Sequence, residues 1–101
     1  MVKAYYSIED DYYTYLQVSG HAQYKHAGED LVCAGVSSIM FGLMNALDES
    51  KEDIIINQQE DEIIIICKSK SQKIKDYFEL TIYQLKTIEE SYGKYLKVER
   101  K

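Results

Sequence analysis

The apolar residues of this chain change their spacing along its length, from every second position to every third or fourth and back, twice over. A period of two suits a strand and a period near 3.6 suits a helix, so strands and helices must alternate in blocks. In "VKAYYSIEDDYYTYLQVSGHA" β-branched and aromatic residues flank Glu9-Asp10-Asp11, which predicts a hairpin with an acidic turn. The turn lacks the Asn-Gly pair of the tightest hairpins, so its boundaries stay open. From about Leu31 to Leu47, Val32, Val36, Ile39, Met40, Leu43 and Leu47 recur at helical spacing. Asp30 then takes the N-cap position and Cys33 the third helical position. "DIIINQQEDEIIIICKSK" gives two more strands around Asn57 to Asp61. The unbroken apolar run Ile63 to Cys67 predicts a strand covered on both faces, with Cys67 an inert core thiol. From about Ser71 to Tyr92, Ile74, Phe78, Leu85, Ile88 and Tyr92 mark a second amphipathic helix. Gly93, in a left-handed conformation, would stop it. "KYLKVER" supplies a last strand. The order β-β-α-β-β-α-β predicts an α+β fold, two helices on a single mixed or antiparallel sheet.

A chain of 101 residues suits one domain over 1–101. Its net charge of −5 argues against direct nucleic-acid binding, which rests on cationic contacts to phosphates. No apolar run approaches the roughly 18 residues of a membrane span, and MVKAYYSIEDD has no signal-peptide pattern. No membrane partner is therefore expected, and the cytoplasm is the default location. The 2 cysteines form no CxxC pair, and with only 2 histidines no zinc pattern is recognisable. Neither a metal nor a cofactor is expected. Tyr5, Tyr6, Tyr12, Tyr13 and Tyr15 crowd the first hairpin, either as sheet packing or as one wall of a peptide groove. Ala34, Ser38 and Gly42 form a small-residue ridge, either facing solvent or packed closely across a subunit interface.

Only in "SGHAQYKHAGEDLVCAGVSS", Ser19 to Ser38, do Gly, His and Cys gather. A free thiol has a pKa of roughly 8.5, and a helix N-terminus or a neighbouring imidazolium lowers it. Cys33 is expected to have both, with His21 at the end of the preceding strand. Helical geometry puts Cys33 about 70° from the centre of the apolar stripe, at its rim. Backbone N–H groups beside it, including that of Ala34, would hold an oxyanion. The loop 20–30, with Gly20, Ala22 and Gly28, is placed to close over a substrate. The residues alone leave other readings open. These are a capped helix with a small buried cysteine, a non-catalytic binding module and a thiol redox sensor.

"GHA" at 20–22 followed by "GEDLVCAGVS" at 28–37 resembles the signature of the ribosomal-processing cysteine protease family, Prp. The resemblance implies a cytoplasmic, homodimeric endopeptidase. Its implied substrate is the N-terminal extension of large-subunit ribosomal protein twenty-seven, removed during ribosome assembly. Carried over by position, Cys33 is the nucleophile and His21 the general base and acid. Asp30 matches the acidic position before the cysteine and would orient His21 or cap the helix. His26 lies outside the matched "GHA" and is the rival base. A ribosome-assembly binding module with a structural cysteine is the alternative function.

Overall fold

The computed structural model describes residues 1–20 and 27–101, with residues 27–29 described as backbone. The elements are β1 (Val2–Glu9), β2 (Tyr12–Ser19), α1 (Ala27–Ser50), β3 (Ile54–Gln58), β4 (Glu62–Cys67), α2 (Gln72–Tyr92) and β5 (Leu96–Arg100). The strands form one sheet in the order β3-β4-β2-β1-β5. β5 lies parallel to β1 and every other neighbour is antiparallel, so the sheet is mixed.

The first hairpin is tighter than its sequence suggests. Glu9 pairs directly with Tyr12, leaving Asp10 (φ 53) and Asp11 (φ 69) as a two-residue turn. Positive φ at both central residues is the requirement of the turn that matches strand twist, and aspartate tolerates it better than most side chains. Ser7 pairs with Tyr15 and Ile8 with Tyr13, so Thr14 is the extra residue of a bulge. Its hydroxyl donates to the Ser7 carbonyl at 3.4 Å.

Alternation along the strands sends one set of side chains into the core. Val2, Ala4 and Tyr6 of β1, Tyr13, Leu16 and Val18 of β2, and Ile63, Ile65 and Cys67 of β4 are buried. Val32, Val36, Met40 and Leu47 of α1 meet them, as do Ile74, Phe78, Ile82 and Leu85 of α2. Tyr13 stacks on Phe78 with centroids 5.7 Å apart, and Tyr6 tilts against Tyr13 at 5.9 Å. The crowded tyrosines thus divide by strand parity. Tyr6 and Tyr13 pack in the core, whereas Tyr5 and Tyr15 lie on the other face, where Lys101 Nζ sits 4.7 Å from the Tyr5 ring.

That other face corrects the reading of β4. Ile66 is 38% exposed and Ile64 half-buried, so only one face of the strand is covered. Both helices pack on the same side of the sheet, and the open side carries a hydrogen-bonded row instead. Tyr15 donates to Gln17 Oε1 at 2.7 Å and Gln17 Nε2 donates to Glu62 Oε1 at 2.6 Å.

α1 begins at Ala27, before the expected start. Its segment Asp30–Ser50 is long and apolar enough on composition to cross a bilayer, contrary to the expectation that no run approaches that length. Its stripe of Val32, Val36, Met40, Leu43 and Leu47 is buried within the domain, as in a core helix. Ser38 and Gly42 of the small-residue ridge line a groove of about 380 Å³ between α1 and α2, opposite Tyr77 and Leu80. α2 starts at a true N-cap, where Ser71 Oγ accepts the Ile74 N–H at 3.2 Å. Gly93 does not take the left-handed cap expected of it. It stays right-handed (φ −59, ψ −15), and the chain leaves through a turn closed by the Tyr95 N–H on the Tyr92 carbonyl at 2.8 Å.

Candidate active site

β2 leads into Gly20, and α1 carries Cys33. Gly20 follows β2 with φ +88, and its N–H donates to the Asp61 carbonyl at 3.1 Å. A Cβ at this position would collide with the backbone carbonyl oxygen of Met1. Only glycine tolerates both the left-handed φ and this close approach. The residue immediately before His21 is therefore pinned between the N-terminal residue and the β3–β4 turn. His21, Ala22 and His26 lie outside the described residues.

Cys33 is the seventh residue of α1, half-buried and packed against the core. The sequence reading placed it in the first turn, so this is a correction with a chemical consequence. At 1.5 Å per residue it lies about 9 Å from the helix start. The field of a helix end falls off within the first turn, so the helix terminus contributes little to activating a thiol at this depth. Two other assignments fall for the same reason. The Ala34 N–H is committed to the i→i−4 ladder toward Asp30 and is no oxyanion donor in this conformation. Asp30 is the fourth helical residue and exposed, and it makes no capping hydrogen bond among the described residues. It precedes Cys33 by three positions and so lies about 60° from it around the helix. Gly28 also lies inside α1, which shortens the expected 20–30 loop to residues before Ala27.

The boundary was missed for an identifiable reason. Ala27, Gly28 and Glu29 carry no apolar periodicity, and Asp30 has the chemistry of a cap. Acidic residues suit the first turn of a helix as well as its cap.

Cys33 faces away from α2. A Cβ on Gly35 would lie 3.1 Å from Ile88 Cδ1 of α2, and Cys33 is about 200° around the helix from Gly35. The opposite flank faces the edge of the sheet, where Leu47, Asp48 and Lys51 line a cavity of about 420 Å³ with Ile54 and Ile56 of β3. Ser37, which the sequence did not single out, follows Cys33 by one turn and is also half-buried. Cys67 matches its expectation. It is 4% exposed, burial pushes its thiol pKa up, and its S–H donates to the Ser69 carbonyl at 3.5 Å.

Comparison with known proteins agrees across the chain. The sequence profile of the family described as "Cysteine protease Prp" matches residues 1–97. The ribosomal processing cysteine protease Prp of Mycoplasma pneumoniae is 31% identical over 88 residues, covering 83% of this chain and 84% of that protein. The crystal structure of an essential ribosomal processing protease Prp from Staphylococcus aureus, in complex with a substrate peptide, superposes with a TM-score of 0.93. Identity is 25%, and 100% of both chains is covered. The same protease with a covalently linked product peptide gives a TM-score of 0.88 at 26% identity, again over 100% of both chains.

Proposed function

Because the chain belongs to the Prp family of cysteine proteases, we propose that it removes the N-terminal extension of large-subunit ribosomal protein twenty-seven with Cys33 as nucleophile and His21 as general base and acid. The observation that carries this reading is the place of Cys33. A half-buried thiol stands on the flank of α1 turned from α2, and the pinned Gly20 is the residue that leads into His21.

His21 takes the Cys33 proton, and the thiolate attacks the scissile carbonyl carbon. As the tetrahedral intermediate collapses, the C–N bond breaks and the imidazolium protonates the leaving amine. A water then gives its proton to His21 and attacks the thioester, releasing the carboxylate and restoring the thiol. A covalently linked product peptide on the Staphylococcus aureus relative is in keeping with a covalent route. Asp30, one turn before Cys33, orients the imidazole rather than capping the helix. A cytoplasmic homodimer belongs to the same reading. Sedimentation at micromolar concentration should give about twice the 11.8 kDa chain mass, and a strict monomer would remove the dimer while leaving the chemistry intact.

The decisive experiment is incubation with the extended ribosomal protein and mass spectrometry of the products. Cys33→Ser and His21→Ala should fold and bind yet cleave at least ~100-fold more slowly, the scale of lost acid–base assistance. His26→Ala should stay within a few-fold of the parent, and Asp30→Ala should fall between. Undiminished cleavage by Cys33→Ser would end the cysteine-protease assignment of this residue. Binding without cleavage by the parent chain would favour a binding module.

A further inference from the structure

The sheet has two edges, and they are treated differently. On the β5 edge the outward Val98 N–H donates to Glu89 Oε2 of α2 at 3.0 Å, so a helix side chain covers it. The β3 edge carries no such cover among the described residues. Two hydrogen bonds fix which of its groups point outward. Lys68 N–H donates to the Asp53 carbonyl at 3.0 Å and Gln59 N–H donates to the Glu62 carbonyl at 2.8 Å. In an antiparallel ladder hydrogen-bonded pairs alternate, so residues 53, 55, 57 and 59 face β4. The N–H and C=O groups of Ile54, Ile56 and Gln58 face away from the sheet. An unpaired edge of this kind is a template for another strand.

The β3 edge meets the C-terminal end of the α1 flank that carries Cys33. Leu47 and Asp48 lie about 40° and 60° to either side of the Cys33 direction on the helical wheel. Both line the cavity that Ile54 and Ile56 close from the β3 side. Cys33 and this cavity therefore lie on one flank of α1, with the cavity at the C-terminal end of the helix. Cys33 and Leu47 are about 21 Å apart along the helix axis, a span that about six extended residues cover. At its other end β3 leads into the turn whose Asp61 carbonyl holds Gly20.

We propose that the substrate peptide leaves Cys33 along this flank of α1 and pairs as an added strand with the outward edge of β3, so that residues about six positions from the scissile bond reach the cavity floored by Leu47, Ile54 and Ile56. Main-chain pairing supplies register and affinity, and the alternate side chains that drop between strand and helix supply specificity. This inference rests on the proteolytic role of Cys33, and its test separates the two.

The probe is a peptide of roughly sixteen residues centred on the cleavage point of the extended ribosomal protein, compared with its central four residues. In the full-length Cys33→Ser chain, amide hydrogen exchange at Ile54, Ile56 and Gln58 should slow at least ~10-fold with the long peptide and not with the short one. Ile55 and Asn57, already bonded to β4, should not change. In kinetics, Gln58→Pro removes an outward N–H while sparing the β4 ladder, as proline does on edge strands. Its kcat/KM for the long peptide should fall at least ~10-fold, with the short peptide cleaved as by the parent. Binding of the long peptide without protection of those three amides overturns the proposal, as does a Gln58→Pro loss equal for both peptides or absent for both. If the parent cleaves neither peptide, the role of Cys33 fails, and amide protection alone still decides the docking.

Discussion

Replacing Gly20 with alanine adds one methyl group at the most constrained glycine described in the chain. At φ +88 an L-residue pays roughly 1–2 kcal/mol relative to glycine. The new Cβ also meets the Met1 carbonyl oxygen, a backbone atom that no rotamer change can move aside. Val2 is held by its N–H on the Tyr95 carbonyl at 2.8 Å, so the collision is relieved mainly by moving Gly20. That motion strains the bond from its N–H to the Asp61 carbonyl, worth about 1 kcal/mol net. Together the loss is about 2–3 kcal/mol, or a fall in Tm of about 10–20 °C for a domain of this size. Thermal unfolding followed by circular dichroism measures it. Gly42→Ala is the mirror experiment. Its Cβ would meet nothing within 4 Å, and mid-helix alanine is better than glycine by about 1 kcal/mol, so Tm should rise by about 4–8 °C. A Gly20→Ala chain melting within about 2 °C of the parent would refute the pinned backbone before His21. A fall in Tm for Gly42→Ala would place a partner surface over the ridge.

Two further perturbations probe the parts that hold the site in place. Glu89→Ala removes the carboxylate that accepts the Val98 N–H and should cost about 1–2 kcal/mol in urea unfolding, with Glu89→Gln losing less. Burial holds the Cys67 thiol and, with help from the Glu79 charge, the Tyr13 hydroxyl protonated above their ordinary values of 9.0 and 10.0. The unfolded chain thus releases these protons first. Their contribution is complete below about pH 9 and is lost as the pH rises through the folded-state values. Tm should hold level from about pH 7 to 8.5 and then fall, less steeply in Cys67→Ala.

The elements were legible because their signals are local. The alternation around Glu9 to Tyr12, the stripe from Val32 to Leu47 and the Ser71 cap each lie within a few residues of one another. What escaped depends on the rest of the fold. Asp10-Asp11 forms a tight turn although it lacks the usual pair, because aspartate tolerates the conformation that the strands demand. The run Ile63 to Cys67 reads as two-sided, yet both helices settle on one face, and no local pattern records that choice. Cys33 was placed correctly at the rim of the stripe, but its depth in the helix depended on where Ala27 to Asp30 would fold. That β3 ends up as the uncovered edge beside α1 follows from strand order, which is set by pairings far apart in sequence.

The parallel pairing of β1 with β5 has a consequence in time. Val2 lies against Leu96 and Tyr6 against Arg100, so β1 receives its second neighbour from a strand made after every other element described. The two hairpins close over short separations, while this closure spans every element between β1 and β5 and costs more loop entropy. During synthesis one side of β1 therefore remains unpaired until β5 has been made, and Tyr95, which anchors Val2 beneath Gly20, arrives just before it. The backbone support of the candidate site is thus among the last features to be assembled, and a nascent chain stalled before Tyr95 would carry Cys33 without it.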